Sequence, residues 1–397
     1  MIQARDTRTD MCDGRMRVFV TGNQVCMKRG LDSANIRHYF QANGCRIVES
    51  PAHADTIIAV TCAFVGSYVD TAVSMIRTLQ DYPGKLIVVG CLPAMAPERF
   101  RAAHSGPNLI TRDLNCIDRL FPEFQVPYTD IRDAIQPDMK VMMPFDPNGP
   151  CPISVRNRMR EGREAPYMLR VSRGCNNACS YCSHPAALGR LSSKPLEECI
   201  SDYRRAIRDG ARQICIHAND PGAYGTDLGS SYPQLLHALR TSTDVGDMRW
   251  MLWDIHPRWL VKYGPELKDI VSWKTVAAIS VPLQSGSPRI LRAMRRTTSI
   301  PRVVEVLREL RASAASLSIA THLIAGFPGE TMSDIDATVD VCRRAQIRSA
   351  YIFRFSANPN TAAANMEGLL AADTIEKRQA LLAKRLTELG IAVDLFA

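Results

Sequence analysis

The stretch that decides the fold runs from Gly174 to Cys182 and reads GCNNACSYC. It places Cys175, Cys179 and Cys182 in a C-x3-C-x2-C pattern on one short loop. Three thiolates at this spacing hold three irons of a [4Fe–4S] cluster and leave the fourth iron without a protein ligand. The alternative is a structural zinc loop, which needs a fourth ligand such as the nearby His184. The pattern favours the cluster.

The residues around this loop predict a barrel. Residues 165–172 read APYMLRVS and predict a strand, so the loop follows a strand's carboxyl end, where barrel enzymes carry their active sites. Beyond Cys182 strands and helices alternate. We predict strands at 213–217, 248–253, 277–281, 317–324 and 350–355, and helices at 197–209, 232–241, 300–312 and 332–345. About six strand–helix units favour an open or partial (β/α)6 barrel over residues 164–368, rather than a flavodoxin-like sheet.

Residues 15–135 predict a separate N-terminal α/β domain with a parallel sheet. We predict strands at 18–21, 56–61 and 85–89, and helices at 32–41 and 68–79. Cys26, Cys62 and Cys91 follow the three strands in turn. Loops after parallel strands emerge at one edge of the sheet, so these three thiols can meet there and hold a second cluster. Isolated cysteines are also often small buried hydrophobes, and both interpretations stay open at this point.

The remaining segments carry fewer signals. We expect residues 1–14 to form a loose tail and residues 136–163 an interdomain linker rich in Pro, Asp and Asn. Residues 369–397 predict a terminal amphipathic helix at 374–389. The linker holds a basic stretch, which is either a solvated segment or a contact for an anionic substrate. Its members are Arg156, Arg158, Arg160 and Arg163.

Composition bounds the class of protein. The chain has 397 residues, no apolar N-terminal signal core and no apolar run long enough to span a bilayer. With 13 cysteines and no export signal, we expect a reducing cytoplasm in which thiols serve metals or catalysis. The net charge of +9 suits an anionic partner such as RNA without requiring one.

Several ordered blocks resemble one family. The run CMKRGLDS at 26–33 is similar to the family's C-x-x-N-x-x-D-S, with Arg29 in place of Asn, and Val60 stands where the family has Asn before Thr-Cys. Further matches are Gly90-Cys91-Leu92, GCNNACSYC, Gly189-Arg190, VPLQSGS at 281–287, GFPGET at 326–331 and NTAA at 360–363. The chain thus resembles the methylthiotransferase branch of the radical S-adenosylmethionine (SAM) superfamily, of the MiaB and RimO types.

The resemblance implies a radical reaction that uses two [4Fe–4S] clusters and SAM. A cluster on Cys175, Cys179 and Cys182 would bind and cleave SAM, giving a radical that removes hydrogen from an unactivated carbon. A cluster on Cys26, Cys62 and Cys91 would carry the sulfur, methylated by another SAM. An electron donor of the flavodoxin or ferredoxin kind and a sulfur source are the implied partners.

Six further residues are candidates for the SAM pocket. The resemblance places Tyr181 against the adenine, although simple packing explains it equally well. Asn219 and Asp220 end a strand and are candidates for the amino group or ribose of SAM. The remaining candidates follow strands, with tight turns as the alternative; they are Gln284, Ser285 and Gly326. His217 is expected to be a hydrogen-bonded core histidine.

The substrate divides the expectations. Family members usually carry a C-terminal TRAM domain, and its absence from this sequence favours a peptide or a specialised metabolite. The runs NDPGAYG at 219–225 and IATH at 319–322 instead resemble the type that acts on threonylcarbamoyl-adenosine in tRNA. More distant alternatives are a cobalamin-dependent radical SAM methyltransferase and a non-catalytic iron–sulfur or zinc protein that senses redox state or binds RNA.

Overall fold

The computed structural model describes residues 14–23, 26–143, 166–243, 246–296 and 298–396. Nearly all of the predicted tail lies outside the described residues. So does residue range 144–163 of the predicted linker, with its four arginines.

The N-terminal domain is built on five parallel strands in the order β2-β1-β3-β4-β5. The strands are β1 Arg17–Gly22, β2 Arg46–Ile47, β3 Thr56–Thr61, β4 Lys85–Gly90 and β5 Asn108–Ile110. The helices are α1 Met27–Ala42, α2 Gly66–Leu79, α3 Leu92–Met95 and α4 Pro97–Arg101. The three predicted strands are confirmed. Helix α1 begins at Met27 rather than at Asp32, because the turn directly after Cys26 is already helical.

The second domain contains seven parallel strands in the order β14-β13-β12-β11-β10-β9-β6. They are β6 Tyr167–Arg170, β9 Gln213–His217, β10 Arg249–Leu252, β11 Val276–Ser280, β12 Ser318–Ala325, β13 Ser349–Arg354 and β14 Ala392–Phe396. Strands β7 Ser172–Arg173 and β8 Ser192–Ser193 form a small antiparallel pair. The edge strands β14 and β6 do not pair with each other, so the predicted partial barrel is confirmed, with a seventh strand added.

The helices of this domain follow the strands along the chain. They are α5 His184–Leu188, α6 Leu196–Arg208, α7 Tyr232–Thr241, α8 Pro257–Lys262, α9 Gly264–Ser272, α10 Pro288–Ala293, α11 Ile300–Ser313, α12 Met332–Arg344 and α13 Ala372–Glu388. None of the helices in the described part of the chain is long and apolar enough to cross a membrane.

The alternation of side chains along each barrel strand separates two apolar layers. Ile214 and Ile216 of β9 belong to the large core shared with the helices of the barrel domain. Cys215, between them, belongs instead to a small cluster with Met168 of β6 and with Leu31 and Ala34 of α1. Helix α1 of the N-terminal domain therefore packs against the inner face of the open barrel.

Two predicted boundaries need correction. Val141 and Met142, which fall in the predicted linker, are buried in the core of the N-terminal domain. The terminal segment is also more than a helix, because β14 follows α13 and pairs in parallel with β13. Its short run AVDLF carries an aspartate in the middle, which weakens the apolar signal of a strand.

Candidate active site

Cys26, Cys62 and Cys91 meet at the carboxyl edge of the N-terminal sheet. Strands β1, β3 and β4 are adjacent, and each cysteine follows one of them. The side chains of Cys26 and Cys62 share a hydrogen bond, and the thiol of Cys91 is close enough for its charge to act on Cys62. The structure thus brings together the three thiols that the strand pattern predicts, and we call them the N-terminal triad.

Backbone contacts fix the loops that carry these thiols. Asn23, which the sequence analysis missed, is buried and binds both the N–H of Cys62, at 2.8 Å, and its carbonyl, at 3.1 Å. Thr61 Oγ1 accepts from the N–H of Leu92 at 3.3 Å, directly after Cys91. Gly90 has a φ of +117°, and a Cβ there would lie 2.3 Å from the carbonyl oxygen of Thr61. Only glycine permits this close approach of two backbones.

The thiols of the N-terminal triad differ in their electrostatics. The hydrogen bond from Cys62 lowers the pKa of Cys26 to about 6, with a further contribution from the Arg29 guanidinium that outweighs burial. The same hydrogen bond raises the pKa of Cys62. Burial raises the pKa of Cys91, against the lowering effect of Arg29. Cys26 is therefore the thiol of the triad that is most readily ionised.

Cys175, Cys179 and Cys182, the barrel triad, lie on a loop held by its own backbone. Gly174 has a φ of +70°, and a Cβ there would lie 1.9 Å from the carbonyl oxygen of Arg190. The N–H of Cys175 donates to the carbonyl of Gly189 at 3.2 Å. The predicted loop and its Gly189-Arg190 partner are thus one folded unit, which explains why both belong to the same set of motifs.

Donors surround the barrel triad. Asn177 donates from its backbone and side chain to Cys175 Sγ, at 3.4 and 3.2 Å. Arg296, which the sequence analysis missed, reaches Cys179 Sγ at 3.7 Å and the hydroxyl of Tyr181 at 3.3 Å. Burial raises the pKa of Cys182 to about 12, so its conversion to a thiolate depends on a bound cation or cluster.

Asp220 is tied to the same loop. The residue is buried, and its Oδ2 accepts from Asn177 at 2.8 Å, from Trp259 at 3.1 Å and from Arg258 at 3.3 Å. Its Oδ1 has no hydrogen-bond partner among the described residues. Asp220 thus connects the cysteine loop to α8 and keeps one acceptor free. Asn219, the preceding residue, lines a cavity between the two domains.

The other predicted SAM residues have different surroundings. Gln284 has a φ of +71°, and its buried Oε1 lacks a partner among the described residues. The hydroxyl of Ser285 accepts from the N–H of Ser287 at 3.1 Å, so its contacts fit the turn interpretation. A Cβ on Gly326 would lie 2.7 Å from Ile375, so this glycine permits close packing of α13. Tyr181 packs against the barrel core, and its role toward SAM stays a prediction.

The donor set suits a cluster better than a single ion. Among the residues that the structure describes, no group of three or more His, Cys, Asp or Glu side chains is arranged to hold one metal ion. Zinc requires such convergence on one point, whereas a [4Fe–4S] cluster binds its thiolates on separate irons. His184 Nδ1 lies 3.4 Å from Cys182 Sγ, and burial lowers the pKa of His184 to about 4, which keeps its ring neutral at pH 7.

The two triads lie on either side of one interface between the domains. Helix α3, which follows Cys91, packs against α5, which follows Cys182. A cavity of about 350 Å³ opens there; it is lined by Ala94, Met95, Cys182, Ser183, Pro185, Ala186, Pro359 and Asn360. A second cavity of about 320 Å³ is lined on one side by Lys28 and Arg29 of α1 and on the other by His217 and Asn219.

A polar cluster that the sequence analysis missed crosses this interface. Lys28 Nζ contacts Asp254 Oδ2 at 2.9 Å, and Oδ1 of the same carboxylate lies 3.7 Å from Nε2 of His322. His217 is buried beside them, but neither of its ring nitrogens has a hydrogen-bond partner among the described residues. The prediction of a hydrogen-bonded core histidine is therefore wrong in that respect. Buried polar atoms without partners are rare and mark places where a ligand binds.

Family models match both domains. Residues 169–342 match the radical SAM superfamily, and residues 19–111 match the family described as uncharacterized protein family UPF0004. The chain is a radical SAM enzyme with an N-terminal domain of that second family. The family implies SAM and a [4Fe–4S] cluster.

Curated relatives of similar length narrow the class further. The ribosomal protein uS12 methylthiotransferase RimO of Acidithiobacillus ferrooxidans is 29% identical over 370 residues, covering 89% of this chain and 78% of the relative. The RimO of Thermus thermophilus is 28% identical over 389 residues, covering 93% and 82%. The chain belongs to the radical SAM methylthiotransferases of the MiaB and RimO type.

Solved structures share the fold. The radical SAM methyltransferase TsrM from Kitasatospora setae, with cobalamin and a [4Fe–4S] cluster bound, superposes with a TM-score of 0.64 at 13% identity, covering 88% of this chain and 77% of that one. The cobalamin-dependent enzyme OxsB superposes with a TM-score of 0.54 at 13% identity, covering 94% and 56%. At these identities the likeness concerns the fold alone.

Proposed function

We propose that this enzyme replaces a hydrogen on an unactivated carbon of a polypeptide side chain by a methylthio group. It uses SAM and two [4Fe–4S] clusters, one on the barrel triad and one on the N-terminal triad. The observation that carries the proposal is that both triads border the same domain interface, with cavities between them. A carbon radical formed at one cluster is short-lived, so the sulfur must be delivered from close by.

The chain's own residues prepare both sites. Arg296 and Asn177 donate toward the sulfurs of Cys179 and Cys175, which stabilises them as thiolates. Asp220 keeps one oxygen free beside this loop and is the candidate for an ammonium or hydroxyl group of SAM. The bound clusters supply the electron for SAM cleavage and the sulfur for transfer, whereas the protein orients the reactants and excludes water.

The polypeptide substrate follows from the relatives. The proteins that match over most of this chain are named for methylthiolation of ribosomal protein uS12. We extend a polypeptide substrate to this chain, together with the predicted flavodoxin-like or ferredoxin-like electron donor, a sulfur source and a cytoplasmic setting. The tRNA alternative predicted from the runs at 219–225 and 319–322 is tested in the same experiment.

The substrate test compares hosts that lack their own methylthiotransferases, with and without this gene. The expected result is a uS12 protein heavier by CH2S, the difference between a methylthio group and hydrogen, with unchanged tRNA nucleosides. A Cys175→Ala variant should abolish the modification, whereas a Cys215→Ala variant should retain it because Cys215 is buried away from both triads. A methylthio-adenosine derivative in the tRNA would overturn the polypeptide substrate.

The cluster test counts iron. The enzyme reconstituted under anaerobic conditions should hold two clusters, and alanine substitution of either triad should remove the iron of one. The cobalamin alternative predicts the absorbance of cobalamin and no iron at the N-terminal triad. A protein that holds both clusters but does not cleave SAM with a reductant would instead support the sensor alternative.

A further inference from the structure

Arg29 places a positive charge beside the N-terminal triad. It lies in the first turn of α1, three residues after Cys26, and its side chain is only 5% exposed. Its charge acts on the thiols of both Cys26 and Cys91. Among the residues that the sequence singled out, it also departs from the family pattern, which has Asn at this place. A buried guanidinium is costly unless its charge has a partner.

The obvious partner of Arg29 is already shared. Arg29 Nη1 lies 2.9 Å from Asp32 Oδ2, but the two groups are not aligned as a hydrogen bond. Asp32 also receives Arg170 at 2.6 Å and Arg173 at 2.9 Å, so one carboxylate serves three guanidinium groups. The single negative charge of Asp32 therefore cannot neutralise all three.

The next carboxylate does not restore the balance. Asp133 lies 2.5 Å from Arg170, 3.6 Å from Arg173 and 2.7 Å from Lys194. Two aspartates thus face four cations, and the surplus of positive charge lies in a buried interface where the low dielectric strengthens its field. Arg29 is the member of this network whose charge acts on the cysteines, so it carries that surplus to the N-terminal triad.

We propose that Arg29 is a positioning residue that raises the reduction potential of the cluster on the N-terminal triad, which favours acceptance of an electron there. This inference rests on the proposed function, since it requires that cluster. The physical reason is that reduction adds a negative charge to the cluster, and a nearby fixed cation stabilises the reduced form more than the oxidised form. Net charge and hydrogen bonding around the sulfurs are known determinants of cluster potentials. The unaligned Nη1 of Arg29 is available as a donor toward the cluster.

The experiment uses a parent protein in which Cys175, Cys179 and Cys182 are replaced by alanine, so that only the cluster on the N-terminal triad remains. Its midpoint potential is measured by redox titration with electron paramagnetic resonance. Arg29→Gln should shift the potential downwards, whereas Arg29→Lys, which keeps the charge, should stay close to the parent. Asp32→Asn, which removes the counter-charge, should shift it upwards.

Arg296→Gln is the matched control. Arg296 is also a buried arginine next to a cysteine, but next to Cys179 of the triad that the parent lacks. Its substitution should leave the potential of the remaining cluster unchanged. If Arg29→Gln keeps its iron and the parent's potential, the inference is wrong. If Arg29→Gln does not keep its iron, the Asp32→Asn shift decides: an upward shift supports the inference, and no shift overturns it. A parent that binds no cluster overturns the proposed function as well.

Discussion

Glycine at position 174 shows how one residue shapes the barrel triad. The left-handed φ of +70° and the carbonyl of Arg190, 1.9 Å from the place of a Cβ, leave no room for a side chain. Gly210 has a similar φ of +88°, but nothing lies within 4 Å of its would-be Cβ. The two positions therefore separate backbone strain from steric conflict.

We predict that Gly174→Ala costs about 3 kcal/mol or more of unfolding free energy and removes the iron of the barrel triad. Gly210→Ala should cost only about 1 kcal/mol, the penalty of a left-handed backbone, and should keep all its iron. Urea titration and iron analysis of the two variants check this. Equal iron content in both would show that the loop tolerates displacement.

His256 predicts a pH dependence at the scale of one side chain. Its Nδ1 accepts from the N–H of Arg258 at the start of α8, and burial, followed by the charges of Arg296 and Arg258, lowers its pKa to about 2. The unfolded imidazole binds a proton below about pH 6.5, whereas the folded one stays neutral. The unfolded state therefore binds more protons as the pH falls, and the folded state loses stability below about pH 6.5.

His256→Asn should remove this dependence while keeping an acceptor at the start of α8. Between pH 7 and pH 5 the wild type should lose up to about 2 kcal/mol more unfolding free energy than the variant. Urea titrations on iron-free protein at the two pH values measure the difference, because cluster loss in acid then plays no part. Identical slopes with pH would contradict a neutral buried His256.

At the scale of elements, Gln379 connects the last helix to two strands. It is buried on α13, and its Nε2 donates to the carbonyl of Ile352 at 2.8 Å and to that of Phe396 at 2.9 Å. Its Oε1 accepts from Arg354 Nε at 2.8 Å. One amide therefore joins α13, β13 and β14, the edge strand of the barrel sheet.

We predict that Gln379→Leu destabilises the protein by about 2 kcal/mol or more, because two buried carbonyls lose their donor. The backbone amides of β14 should exchange with deuterium faster than in the wild type, whereas those of β11 should not change. Lys384→Ala, at an exposed position of the same helix, is the control. Unaltered exchange in β14 would show that strand pairing alone holds this edge.

The elements that were predicted correctly carry strong local signals, and those that were missed depend on contacts from far along the chain. Strands such as β3 are continuous apolar runs, buried at every position. In contrast, β14 depends on pairing with β13 and on the amide of Gln379. The convergence of the N-terminal triad was predictable because parallel strands end at one edge. Arg296 and Asn23 were not, because their roles appear only when distant loops come together.

At the scale of the whole molecule, the two domains are joined through the first turns of α1. Lys28 meets Asp254 at 2.9 Å, and Asp32 meets Arg170 at 2.6 Å; both contacts cross the domain boundary. Asp254 holds its position with a φ of +66°, a strained backbone for a residue with a side chain. Because Cys26 immediately precedes α1, these ion pairs also set where the N-terminal triad lies relative to the barrel.

The Lys28–Asp254 pair predicts a coupling that only a cycle of variants reveals. Lys28→Met or Asp254→Asn alone leaves one charge without its partner in a site where the side chains are 23% and 16% exposed, and should cost about 2 to 3 kcal/mol. The double variant should be more stable than the sum of the two losses implies, because no unpaired charge remains. Urea titration gives the stabilities, and the magnetic coupling between the two reduced clusters reports their separation. A weaker coupling in the single variants is expected, since the docking of α1 onto the barrel loosens. Additive losses together with an unchanged coupling would mean that the apolar contacts of Leu31 and Ala34 position the domains without this ion pair.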